Sequence, residues 1–103
     1  DVGCACGHYY RSIKKRTNKN FFYTGIDPYK IFLDKAKIAW KRDHNTNFVR
    51  GNIYKLPFLK NQFDITICSN VFIHLNKVKK PLEELLRVTK KTIILRTVLY
   101  DMS

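Results

Sequence analysis

A glycine turn opens the chain, Asp1-Val2-Gly3-Cys4-Ala5-Cys6-Gly7, and an acid, Asp27, ends an aromatic and β-branched run that begins at Phe21. Few folds accommodate that order. Glycine lets backbone bend sharply between a strand and a helix and approach a ligand closely. An acid at the end of the next strand, about 20 residues on, is how α/β folds seize a nucleoside-bearing cofactor.

The remainder alternates strand-like and helix-like segments, the pattern of an α/β fold with a parallel sheet. Residues 8–18 read as a helix rich in Arg and Lys, weakly amphipathic through Tyr9, Tyr10 and Ile13. Residues 21–26 read as a strand. Asp27-Pro28 is expected to start a second helix, with Asp as N-cap and Pro at the first helical position. Its core stripe would be Phe32, Leu33, Ala36, Ala39 and Trp40. Residues 47–50 form a short strand and residues 64–69 a buried-looking one. Val78, Leu82, Leu85 and Leu86 make the apolar face of the next helix, with Pro81 inside its first turn, and residues 92–98 form a last strand.

At 103 residues there is room for one domain, and 45% hydrophobic and 14% aromatic content describe a chain with a core. No stretch has the length of a membrane span or the look of a signal peptide. The net charge of +12 has two readings: a polyanion partner such as RNA, or Lys-rich composition over solvated faces. Positives cluster at Arg11, Lys14, Lys15, Arg16 and Lys19 and at Lys77, Lys79 and Lys80, but no aromatics interleave with the second cluster, and the solvated reading is preferred. Cys4, Cys6 and Cys68 are odd in number and lack framework spacing, which points to a reducing, cytoplasmic setting. Cys4-x-Cys6-x-His8 lacks the paired spacings of zinc sites, so no metal is expected.

Two further segments add specificity: Gly51-Asn52-Ile53, and Leu56-Pro57-Phe58 followed by Phe63-Asp64. With the opening turn and Asp27, they resemble the class I S-adenosylmethionine-dependent methyltransferases, in particular the small-molecule, type 11-like group. The resemblance runs from the first residue to the strand around Ile94. It implies a Rossmann-like methyltransferase fold, a mostly parallel sheet with helices on both faces. Residues 1–103 would be a partial cofactor-binding domain truncated at both ends. Asp1-Val2 would be the end of an otherwise missing first strand, and the last strands would also be missing.

The resemblance assigns S-adenosyl-L-methionine as cofactor. Asp1, Gly3, Cys4, Ala5 and Gly7 would line its methionine part and ribose. Ala5 stands where the family usually has glycine, which questions a positive φ there. Asp27 would take both ribose hydroxyls, with Pro28 beside the adenine. Asn52, in place of the family's usual Asp, would receive the adenine amino group and Ile53 would pack on the ring. Ser69 and Asn70 would reach the amino acid end. His74 matches a position where the family often carries histidine and is a candidate proton acceptor, although a histidine merely closing the loop is the preferred reading. The expected activity is methyl transfer to a small-molecule or sugar-type acceptor. The alternatives are a nucleic-acid methyltransferase using the basic face and a non-catalytic binding module. Against the former, Ser69-Asn70-Val71-Phe72 stands where amino-group nucleic-acid methylases carry a Pro-Pro-Tyr/Phe-type tetrapeptide.

Overall fold

The computed structural model describes residues 1–97. Its elements are α1 (His8–Arg16), β1 (Tyr23–Asp27), α2 (Lys30–Ala39), β2 (Thr46–Arg50), β3 (Phe63–Ser69), a 3-10 helix (Phe72–His74), α3 (Lys79–Val88) and β4 (Thr89–Arg96). The chain divides into two compact units, one of Asp1 with residues 3–52 and one of Val2 with residues from 53 onward. Each contains a parallel strand pair: β1 with β2, and β3 with β4. The α/β architecture with parallel strands matches the expected class.

In the first unit the pairing runs in register from Tyr23 opposite Thr46 to Asp27 opposite Arg50. The core gathers Cys4, Tyr10, Tyr23, Leu33, Ala36 and Phe48, with Phe21 and Trp40 packed against it. The basic helix α1 docks chiefly through Tyr10, whose ring meets those of Trp40 and Tyr23 at centroid distances of 4.8 Å. Tyr9 stays at the surface. The Tyr10 hydroxyl donates to the Asp43 carboxylate, to which Lys14 also donates at 2.6 Å. Lys14 and Tyr10 together hold the Asp43 carboxyl down to about 2. One aromatic anchor and its polar partner thus compensate for the weak apolar face of this helix.

Two expectations for α2 are corrected. It starts at Lys30, not at Asp27-Pro28, and no side chain caps it. Asp27 is instead the last residue of β1, and its Oδ1 accepts the Tyr29 N–H at 3.0 Å. That local bond turns the chain out of the strand before the helix begins. The core stripe is also narrower, because Phe32 and Ala39 are exposed and Leu33 and Ala36 are buried.

In the second unit the Val2 N–H donates to the Ile67 carbonyl at 2.7 Å, and Val2 forms a parallel bridge with Cys68. β3 buries Thr66 and Cys68, whereas Ile65, directly before Thr66 in the expected buried run, is 56% exposed. β4 starts at Thr89, directly after α3 and three residues before the expected Thr92; Val98 lies outside the described residues. The buried face of α3 is Pro81, Glu84, Leu85 and Val88. Val78, Leu82 and Leu86, expected inside, are exposed. The helix is rotated from the apolar expectation because Glu84 turns inward to bond the backbone of Leu56. Among the described residues no helix is long and apolar enough to cross a membrane.

Candidate functional site

The opening turn is built on alternating left-handed residues: Gly3 at φ 75°, Ala5 at φ 48° and Gly7 at φ 84°. Ala5 therefore takes the positive φ that its side chain disfavours. Its N–H donates to Asp27 Oδ2 at 3.0 Å, which holds it there. Gly3 and Cys4 both donate to the Ile26 carbonyl, at 2.8 and 3.1 Å, so the turn is laid against the end of β1. Gly7 closes the turn by donating to the Cys4 carbonyl at 2.9 Å and leads into α1, which no side chain caps. Relieving the strain should show: Ala5→Gly is expected to raise stability by about 0.5–1 kcal/mol, the αL penalty of alanine less the added freedom of glycine. Urea unfolding checks this, and a variant no more stable than the parent would show that Ala5 is unstrained.

Cys4 is buried, and its thiol is pushed up to about 12 by burial and then by the Asp27 carboxylate. It is a neutral packing group. Its Sγ fits the space above Gly25, where an added Cβ would lie 2.8 Å from the sulfur. The need for glycine at position 25 is invisible in the sequence, because it arises from a residue 21 positions earlier. Asp1 is half-buried, and its carboxylate accepts from the Tyr23 hydroxyl. Burial pushes that hydroxyl well above its ordinary range, followed by the influence of Cys4.

Asp27 is 6% exposed at the carboxyl end of β1. Each of its oxygens accepts one backbone N–H, Oδ1 from Tyr29 and Oδ2 from Ala5, both at 3.0 Å. A carboxylate offers about four lone-pair sites, so capacity for a diol remains. Gly51 donates to the Asp27 carbonyl at 3.2 Å, bringing the exit of β2 beside that of β1. Asn52 follows Gly51 and is exposed, as is Pro28, whose carbonyl accepts from Arg50 Nε at 3.1 Å. The first unit thus places Asp27, Pro28 and Asn52 at the carboxyl ends of adjacent parallel strands, where open α/β sheets bind ligands.

In the second unit Ile53 is 8% exposed. Ser69, half-buried, ends β3, and Asn70 follows at φ 60°, a left-handed conformation that asparagine tolerates. The Asn70 N–H donates to the Arg96 carbonyl at 2.8 Å. His74 is exposed at the end of the 3-10 helix, where its N–H donates to the Val71 carbonyl at 3.0 Å. Among the described residues, no three His, Cys, Asp or Glu side chains form a group able to hold a metal. Glu84 and Arg87 belong to none of the motifs in the sequence. Their i, i+3 spacing on a helix is the signal that could have found them.

A glycine turn laid against an acid at the end of a strand is shared by several cofactor folds, and comparison with known proteins decides between them. The family described as "Methyltransferase domain" matches residues 1–95. The chain belongs to that methyltransferase family. This methyltransferase domain is 37% identical over 98 residues to an uncharacterized methyltransferase of Schizosaccharomyces pombe, covering 87% of this chain and 35% of that protein. It is 31% identical over 93 residues to a sterol 24-C-methyltransferase of Kluyveromyces lactis, covering 87% of this chain and 24% of that one. Among solved structures, a SAM-dependent methyltransferase from Aquifex aeolicus superposes with a TM-score of 0.75 at 26% identity, covering 87% of this chain and 49% of that one. The methyltransferase domain thus spans 35% and 24% of the length of these two curated relatives.

Proposed function

We propose that this domain binds S-adenosyl-L-methionine and transfers its methyl group to a small-molecule or sugar-type acceptor. One observation carries the reading. The buried Asp27 carboxylate is fixed at the end of β1 by two backbone N–H groups, one of them from the glycine turn. A vicinal diol fits such a group, since each oxygen keeps a second lone pair. Similarity to a sterol methyltransferase supports the small-molecule class of acceptor.

In this reading Asp27 orients the ribose, and the turn from Asp1 to Gly7, including Cys4, offers backbone to the rest of the nucleoside and the methionine part. Asn52 and Ile53 address the adenine, and Ser69 and Asn70 the amino acid end. When bound, the cofactor supplies an activated methyl group on a sulfonium with a neutral thioether to leave. The work left to the protein is alignment, which by itself lowers a barrier by several kcal/mol. His74, exposed at a loop end, would accept a proton from an acceptor oxygen or nitrogen where that atom must lose one.

Calorimetric titration of S-adenosylhomocysteine into the purified protein tests the reading. Micromolar binding with one site per chain is expected. A protein that melts cooperatively yet shows no heat of binding at millimolar ligand would sink it.

A further inference from the structure

Residues 56–58 run between two strands without a ladder of their own, yet Leu56 is only 3% exposed. Backbone groups shielded in this way need partners. α3 and the residues before it supply them. The Leu56 N–H donates to Glu84 Oε1 at 2.8 Å. Arg87 Nη2 donates to the Leu56 carbonyl at 2.9 Å, and Nη1 to the Phe58 carbonyl at 2.6 Å. Arg87 Nε returns to Glu84 Oε2 at 2.6 Å, locking carboxylate and guanidinium together. The Asn61 N–H donates to the Arg87 carbonyl at 2.8 Å, and the Tyr54 hydroxyl to the Lys77 carbonyl at 3.3 Å.

Glu84 is 4% exposed. An apolar pair of similar volume could cover the same loop without desolvating a charge. What the ion pair adds is direction, because a planar guanidinium with two carbonyls and a carboxylate fixed around it tolerates little displacement. The segment so fixed begins three residues after Ile53, which is itself buried.

We infer that Glu84 and Arg87 are positioning residues for the base of the cofactor: they set residues 56–58, and through them Ile53, in the place where its side chain packs on the adenine ring. The inference rests on the cofactor reading above.

The test uses the purified protein with Arg87→Lys, Arg87→Ala and Glu84→Gln. The readouts are dissociation constants for S-adenosylhomocysteine and, by competition, for S-ribosylhomocysteine, which lacks the base. Arg87→Lys keeps the charge but loses the fork, and is expected to weaken S-adenosylhomocysteine about tenfold, the scale of one charge-assisted hydrogen bond. Affinity for the base-free analogue should stay unchanged. Glu84→Gln should fall between parent and Arg87→Lys. A merely structural role would lower the melting temperature while leaving the ratio of the two affinities fixed, and that result would overturn the inference. Should Arg87→Ala fail to fold, Arg87→Lys decides the matter. A folded parent that binds neither ligand would remove the cofactor reading itself, an outcome distinct from parental binding that the variants leave untouched.

Discussion

Gly25→Ala is expected to destabilise the protein by about 3 kcal/mol, at the upper end of the range for inserting one carbon into a close-packed site. The new Cβ would lie 2.8 Å from Cys4 Sγ, 2.9 Å from Cys4 Cβ and 3.1 Å from Phe48 Cδ1. None of these atoms is the free end of a long side chain. Cys4 belongs to a turn held by hydrogen bonds to Ile26, and Phe48 lies in the buried core on β2. Relief would have to come from moving the turn, which would disturb the Ala5 bond to Asp27. Urea unfolding of Gly25→Ala beside the parent measures the cost. A second variant, Cys4→Ala in the Gly25→Ala background, removes the sulfur contact but leaves the 2.9 Å contact with Cβ, so it should recover part of the loss. Gly25→Ala unfolding at the parent's midpoint would show that the turn is not seated as described.

Asp27→Ala is expected to lose both stability and ligand. Two N–H groups, of Ala5 and Tyr29, lose a charged acceptor at a buried position. Hydrogen bonds to a charged group contribute about 1.5–3 kcal/mol each, less whatever water recovers, so a loss of about 3 kcal/mol is expected. Ala5 would also be freed from the bond that keeps it left-handed. If the diol reading holds, binding of S-adenosylhomocysteine disappears as well. Asp27→Asn separates the two effects. Its amide oxygen can accept one of the two N–H groups, while its NH2 faces the other as a second donor. The fold should survive in weakened form, with affinity reduced at least tenfold, about 1.4 kcal/mol. Asn or Ala at position 27 binding as tightly as the parent would show that the carboxylate serves only the backbone.

The glycine turn and Asp27 were legible in sequence because spacing and residue type carry their chemistry. The order of strands and helices was legible because apolar runs and turn residues alternate. The start of α2 departs from the local signal for a physical reason. An Asp-Pro pair suits a helix start, but here the carboxylate serves its own strand end, bonding Ala5 from a distant turn and Tyr29 next door. The face of α3 departs from the local signal similarly. Periodicity scores Val78, Leu82 and Leu86 as interior and cannot foresee that a buried Glu84 takes their place. The conformation of Ala5 was in doubt because a side chain opposes it, and the hydrogen bond to Asp27 that overrides the opposition spans 22 residues.

The class of fold, the order of its elements and the acid at the end of the strand depend on local pattern and on residue types that few other arrangements use, so they can be read along the chain. Why Gly25 must lack a side chain, how Asp27 divides its oxygens between two backbone amides, and which face of α3 is buried emerge only from packing. Each of those follows from contacts between residues far apart in the chain, where a single buried charge or an extra carbon outweighs local preference.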